Sequence, residues 1–326
     1  MALKITQKIA VIGDGAVGSS VCYGIVNQGI CDELLIIDIN KDRSLGDAMD
    51  LSHSIEYMGR NMKVRSADFA DCGDCEVAIF CLGTPQSALK RDADGHVIRS
   101  SALEAACKMV KPAVEQLMAS GFNGYIVSVT NPLDTITKFI WRLSGLPSNR
   151  VIGSGTTLDS ARLKCVLGKI IDVDPHCINA WVLGEHGSTE FIPWSVASVG
   201  GKSMETIKND NPDRFRDHSY DDIKHEVEIA GPQVVNLKGH TNYAIASAAI
   251  AIVRAILYDE NRVLPVSTYL DGHYDCHDVF VSVPAIISAD GVREIVDLHL
   301  TDEEMALLHH SVDVIEKNNE IARKLL

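Results

Sequence analysis

Short apolar runs that stop abruptly at a glycine or a small polar residue recur through the first half of the chain. Lys8-Ile9-Ala10-Val11-Ile12 ends at Gly13, Leu34-Leu35-Ile36-Ile37 at Asp38, Glu76-Val77-Ala78-Ile79-Phe80-Cys81-Leu82 at Gly83, and Tyr125-Ile126-Val127-Ser128-Val129 at Thr130. Hydrophobicity that is continuous rather than alternating marks strands covered on both faces, the pattern of a parallel sheet between helices. Helical stretches fall between the runs. One extends from about Val17 to Asn27 and stops at Gly29, and another resumes after residue 99, where Ser101 and Glu104 have capping-box spacing and Pro112 is expected to produce a kink. This alternation predicts an α/β protein with a doubly wound parallel sheet of the Rossmann type.

The second half reads differently. Val151-Ile152-Gly153-Ser154-Gly155 closes one more strand, and Thr156-Thr157-Leu158-Asp159-Ser160-Ala161-Arg162-Leu163 opens a helix. A helix beginning near Tyr220 is expected to break at Gly231-Pro232, and the Ala-rich stretch from Tyr243 to Leu257 reads as a helix buried on most sides. Strand-like runs Arg262 to Leu270 and Val279 to Ile287 flank the turn signal Asp271-Gly272, with a second turn at Asp290-Gly291. Thr301 and Glu304 form the capping box of a last helix whose apolar face comprises Met305, Leu308, Val312 and Ile315. The predicted organisation is a nucleotide-binding domain over residues 1–154 and a mixed α+β substrate domain over 155–326.

Composition narrows the class of partner. The 326 residues are 46% hydrophobic, enough for a substantial core, and their net charge of −14 repels nucleic acid and anionic membranes. The N-terminus has no signal-peptide character, and no run approaches the roughly 18 apolar residues of a membrane helix. Nine cysteines, scattered through apolar segments, suit reduced thiols in a cytoplasm. Cys72-Gly73-Asp74-Cys75 lacks a second pair nearby, and His273, Cys276 and His277 crowd on one turn, so no metal site is expected at either.

The first turn carries the first chemistry. Gly13-Asp14-Gly15-Ala16-Val17-Gly18 lies between a strand and a helix: the first glycine makes the turn, the second admits a pyrophosphate to the backbone, and the third lets helix pack on strand. The free N–H groups at the helix N-terminus would hold the phosphates. Asp38, twenty residues past Gly18, ends the second strand where an acid binds ribose hydroxyls and repels a 2′-phosphate, so NAD rather than NADP is the expected cofactor. Farther on, the long segment from Thr84 to Arg99 reads as a functional loop. A cation at a helix start, as Arg99 is, opposes the dipole and calls for another use. Asp159 and Arg162 share one helical face, where a local ion pair is the simpler reading, and His186 between Gly184 and Gly187 in isolation reads as a satisfied structural histidine.

Taken together and in order, Gly13 to Gly18, Asp38, Thr130-Asn131-Pro132-Leu133-Asp134, Leu158-Asp159-Ser160-Ala161-Arg162 and Gly184-Glu185-His186-Gly187 resemble the L-lactate/malate dehydrogenase family, essentially from end to end. Lys238-Gly239-His240-Thr241-Asn242-Tyr243-Ala244-Ile245 resembles its lactate branch. The resemblance implies an NAD-dependent L-2-hydroxy-acid dehydrogenase in which His186 is the acid/base and Asp159 orients it. Arg162 would clamp the substrate carboxylate, Arg99 would close in on a mobile loop, and Asn131 and Thr241 would face the substrate. Gly13, Gly15, Ala16, Val17, Gly18, Asp38, Gly83, Val129, Asn131 and Ile245 would line the cofactor. It also implies a homo-oligomer, a tetramer ahead of a dimer.

Departures from the family pattern bear on the substrate. The loop before Arg99 is longer than in ordinary lactate or malate dehydrogenases and resembles that of L-2-hydroxyisocaproate dehydrogenases, relatives that accept larger branched 2-oxo acids. The position where malate enzymes carry an arginine falls near Ala93, with Arg91 out of register. Pyruvate or a larger 2-oxo acid is the expected substrate, malate dehydrogenase the runner-up, and a catalytically inactive NAD sensor the alternative outside the enzyme class. Where fructose 1,6-bisphosphate-activated relatives carry an arginine and a histidine at their subunit interface, this chain has Lys164 and Asn179. Activation by that phosphate is expected to be weak or absent. The check is the half-saturating pyruvate concentration with and without it, and a large fall on addition would contradict the expectation.

Overall fold

The computed structural model describes residues 7–84 and 99–326, with only the backbone of Arg99 and Ser100. The first half alternates as its hydrophobic pattern requires: β1 (Lys8–Ile12), α1 (Ala16–Gln28), β2 (Glu33–Ile37), α2 (Lys41–Ser54), β3 (Lys63–Ser66), β4 (Val77–Phe80), α3 (Arg99–Ala119), β5 (Tyr125–Ser128), α4 (Leu133–Ser144) and β6 (Val151–Gly153). After α5 (Thr157–Ile171) comes a small antiparallel sheet of β7 (Ile178–Asn179), β8 (Ser198–Val199) and β9 (Lys202–Ser203). Then follow α6 (Met204–Asp210), α7 (Tyr220–Lys238), α8 (Tyr243–Leu257), β10 (Arg262–Leu270), β11 (Val279–Ser288), β12 (Gly291–Ile295) and α9 (Asp302–Arg323).

Among the described residues the main sheet has the order β12-β11-β10-β6-β5-β4-β1-β2-β3. Neighbours from β6 to β3 pair in parallel, and β10, β11 and β12 continue the sheet antiparallel, joined through Ser267 opposite Gly153. The chain reverses direction across the sheet between β1 and β4, and the crevice beyond the C-terminal ends of those strands is where such sheets bind ligands.

Side-chain alternation sorts the core into two faces. Ile9 and Val11 of β1 pack with Val21 and Ile25 of α1 and with Ala249 and Val253 of α8. Ala10 and Ile12 pack on the other face with Val110 and Val114 of α3 and Ile136 and Ile140 of α4. The covering of both faces explains the unbroken hydrophobic runs. The Ala-rich helix is α8, and it lies against the nucleotide-binding half rather than within the second half alone. On α9, Thr301 and Glu304 form the capping box, and Leu308 and Ile315 are buried while Met305 and Val312 are half-buried.

Two expectations about helix boundaries need correction. Helix α3 begins at Arg99, so Ser101 sits inside its first turn and does not cap it. Serine-x-x-glutamate spacing recurs inside helices as well as at their starts, and only the backbone bonding decides between the two. Helix α7 runs unbroken through Gly231-Pro232 from Ser219, its N-cap, to Gly239. A proline deletes one backbone N–H donor but keeps a helical φ, and the glycine before it has no Cβ to strike the ring. Burial of Ile223 and Val227 against α5 then outweighs one lost hydrogen bond.

The third fingerprint glycine is required by packing. A Cβ on Gly18 would lie 1.8 Å from the Gly13 carbonyl oxygen, a rigid backbone atom. Gly18→Ala should therefore cost about 3 kcal/mol in thermal unfolding, the upper part of the usual overpacking range. It should also weaken NADH binding by fluorescence titration, whereas parent-like values in both would show that the turn relaxes freely.

Candidate active site

The nucleotide end forms where β1 gives way to α1. Gly15 caps the helix with no side-chain hydrogen bond, and a Cβ placed on it meets nothing within 4 Å, which leaves an open cradle at the N–H groups of the first turn. Asp38, directly after β2, is fixed by two backbone amides: the Asp14 N–H donates to it at 2.6 Å and the Asn40 N–H at 2.8 Å. This donor set fits a dinucleotide: the open N–H groups at Gly15 and Ala16 could hold the phosphates and Asp38 a ribose, while Gly13 and Gly18 are buried against each other and shape the turn.

Asp14, the second residue of the fingerprint, is wholly buried, and neither carboxyl oxygen has a hydrogen-bond partner. Burial first, then the neighbouring Asp47 carboxylate, pushes it up to about 7. In its protonated form this acid adds no negative charge where an anion is to bind.

The other end is built around the tip of a closed loop. Leu183 and Phe191 exchange backbone hydrogen bonds at 2.9 and 3.0 Å, and Gly184 pairs with Ser282 of β11. Residues 184–190 therefore project as a loop anchored at both roots, with His186 near its tip. The His186 N–H donates to Asp134 Oδ2 at 2.9 Å, and Ser267 Oγ donates to Asp134 Oδ1 at 2.6 Å. From the other side, Ser160 Oγ accepts the Val182 N–H at 2.8 Å, so the start of α5 is tied to the segment that leads into the loop.

This docking puts Asp159 beneath the imidazole. His186 Nδ1 lies 2.7 Å from Asp159 Oδ2, and Arg162 Nη1 donates to Asp159 Oδ1 at 2.8 Å. Burial opposes a charged imidazole, but the Asp159 carboxylate and its hydrogen bond overcome that and push His186 up to about 9. Burial alone would raise Asp159, yet His186 and Arg162 together hold it below the usual carboxylate range. The three groups form one chain, cation–anion–cation. The local ion pair and the structural histidine anticipated separately are thus parts of one cluster.

A cavity of about 790 Å³ joins the two ends: it is lined by Val17, in the first turn of α1, and by Val129, Asn131, Arg162, His186, Thr241 and Ile245. Asn131 precedes a cis Asn131-Pro132 bond. Gly231 of α7 lies over Arg162: a Cβ there would stand 3.2 Å from Nη2, so the glycine leaves room for the guanidinium. Gly83 is exposed just beyond β4. The expectations placed on Arg91, Ala93 and the side chain of Arg99 lie outside the described residues.

Three acids at the site had drawn no role from their sequence positions. Asp134, buried at 2% exposure, holds the His186 backbone and is pushed up to about 6 by burial, against the hydrogen bonds from Ser267 and His186. Glu190, 7% exposed, lines the cavity. Asp14 is the third. Asp134 lies within the recognised Asn131-Pro132-Leu133-Asp134 phrase, which was its only signal. Asp159, His186 and Glu190 bring ligand-type atoms within 4.8 Å of one another. Asp159 is already committed to His186 and Arg162, and the guanidinium opposes a metal ion there. His273 and His277 each face a separate aspartate, Asp297 and Asp271, and Cys276 bonds the Tyr274 carbonyl.

A dinucleotide cradle joined through one cavity to a buried Asp–His–Arg cluster defines a two-part, nicotinamide-dependent dehydrogenase. The particular family follows from comparison with known proteins. Residues 7–153 match the lactate/malate dehydrogenase NAD binding domain, and residues 156–325 the lactate/malate dehydrogenase alpha/beta C-terminal domain. The chain is 41% identical over 314 residues to L-lactate dehydrogenase 1 of Bifidobacterium longum, covering 96% of this chain and 97% of that one. It is 43% identical over 311 residues to L-lactate dehydrogenase 3 of Bacillus cereus, covering 95% and 96% respectively. Among solved structures, a lactate dehydrogenase from a deep-sea metagenome library superposes with a TM-score of 0.90 at 36% identity over 98% of this chain and 99% of that one. The ligand-bound minor L-lactate dehydrogenase of Enterococcus mundtii gives 0.89 at 35% identity over 97% and 98%. The chain belongs to the lactate/malate dehydrogenase family, in its lactate branch, and is an NAD-dependent 2-hydroxy-acid oxidoreductase.

The state of Asp14 makes a stability prediction with a definite sign. Its folded value, about 7, lies above that of an ordinary aspartate, so the folded state binds its proton more tightly. The associated stabilisation is complete below the lower value and is lost as pH rises through the higher one, with a total on the order of 2–4 kcal/mol. Asp14→Asn should accordingly flatten the decline in melting temperature between about pH 4 and about pH 7. Parallel curves for parent and variant would show that Asp14 is ionised in the fold.

Proposed function

We propose that the enzyme interconverts a 2-oxo acid and its L-2-hydroxy acid, with pyruvate or a somewhat larger 2-oxo acid as substrate, and that His186 is the acid/base. The observation that carries this reading is the Asp159 carboxylate shared by His186 and Arg162. When bound, NADH supplies hydride to the keto carbon. Asp159 takes the Nδ1 proton in its hydrogen bond, which fixes the imidazole and leaves Nε2 to donate to the carbonyl oxygen; in the reverse direction the same nitrogen accepts the proton. The planar fork of Arg162 pairs with the substrate carboxylate two-pronged, as lysine could not. Asn131 and Thr241 also line the cavity and are assigned to the substrate, and Arg99, the first residue of α3, is assigned to the charge that develops on the carbonyl oxygen.

Both relatives named above are L-lactate dehydrogenases, which supports the lactate reading over the malate one. Arg162 is the arginine that lines the cavity among the described residues. The self-associating surface is proposed on α2, where Leu45 and Met49 are 53% and 55% exposed, and around Leu237 and Tyr243. A homo-oligomer, a tetramer ahead of a dimer, would cover them. Cytoplasmic residence is proposed on the nine free cysteines, and no helix among the described residues is long and apolar enough to cross a membrane.

One panel tests substrate and acid/base together: kcat/KM with NADH for pyruvate, oxaloacetate, 2-oxoisocaproate and phenylpyruvate, in the parent and in His186→Gln. A monocarboxylate should lead, and the variant should lose at least about 10³-fold in turnover while binding NADH normally, within the range for a positioned acid/base. Preference for oxaloacetate would return the malate reading, and an active His186→Gln would remove the assigned chemistry.

A further inference from the structure

We propose that Glu190 is a positioning residue of this site that must carry a proton for the 2-oxo acid to bind, so that productive binding requires two protons: one on His186, which is transferred, and one on Glu190, which is not. The inference rests on the roles proposed for His186 and Arg162.

Its basis is the charge count around one buried carboxyl. Glu190 is 7% exposed, lines the cavity, and brings a carboxyl oxygen within 4.8 Å of both the His186 ring nitrogen and an Asp159 oxygen. The groups that face it are Asp159 and Arg162 from α5, His186 from its own loop and Glu228 from α7. Glu228 is exposed to solvent, and the three groups on the inner side, protonated His186, Asp159 and Arg162, sum to one positive charge, which matches a monocarboxylate substrate. An ionised Glu190 would cancel that charge in a largely desolvated pocket, where like charges interact far more strongly than in water. Burial, followed by the Asp159 carboxylate, pushes Glu190 up to about 8, against the pull of His186 and Arg162, so the protonated form is available at neutral pH. Because it and His186 titrate close together, the steps belong to the pair. A carboxyl held here only for packing would leave the substrate's pH profile unchanged, whereas one that balances charge leaves a mark on it.

The experiment is the pH dependence of kcat/KM for the best 2-oxo acid of the panel at saturating NADH, from about pH 6.5 to about pH 10.5, in the parent and in Glu190→Gln. In the parent, log(kcat/KM) should fall toward a slope of about −2 on the alkaline side, because two protons are required, and in the glutamine variant toward about −1. The variant's advantage should then grow toward tenfold per pH unit, through KM rather than kcat, with NADH affinity unchanged. A parent slope of about −1, or a slope of about −2 kept in Glu190→Gln, overturns the proposal. Should the variant fail to fold, the parent slope still decides. Failure of the underlying site reading looks different: His186→Gln would stay active, whereas an inactive His186→Gln beside a one-proton parent profile removes only the role of Glu190.

Discussion

A single buried carboxylate, Asp159, is the constraint on which the site depends. At 3% side-chain exposure it would be costly to ionise alone, and it is tolerable because His186 and Arg162 each give it a hydrogen bond and a positive charge. The dependence is mutual, since without the carboxylate two cations would face each other at the cavity floor. Much of the surrounding structure serves that arrangement. Ser160 ties α5 to the segment before the histidine, Asp134 holds the histidine backbone, and Ser267 of β10 holds Asp134. The cluster thus draws on both halves of the chain.

Elements carrying a strong local pattern were legible in the sequence. The runs ending at Gly13, Asp38, Gly83 and Thr130 became β1, β2, β4 and β5, because a strand covered on both faces has no polar side to interrupt it. The last helix announced its own capping box. Less was legible where two segments meet in space. Nothing in Tyr243 to Leu257 says that this helix packs on α1, and nothing at Gly231-Pro232 says that the glycine gives clearance to Arg162 while the helix continues. Local breaker chemistry lost there to tertiary burial.

The site shows the same division. Asp159 and Arg162 could be placed on one helical face from spacing alone, but their connection to His186 is a long-range contact that only the family phrases brought into view. Asp14, Asp134 and Glu190 were obscure for a common reason: a carboxylate in a sequence looks like surface. What makes these three unusual is burial, and burial is decided by the whole fold.

The continuation of the parallel sheet into β10, β11 and β12 has a consequence for how the molecule is put together. Ser267 opposite Gly153 covers the edge of β6, and α8 supplies one face of the core beneath β1. A fragment ending near residue 153 would present a naked strand edge and an uncovered apolar sheet face, the conditions for aggregation. The two segments that family comparison distinguishes are successive in sequence but share a single sheet, so the core of each is completed by the other.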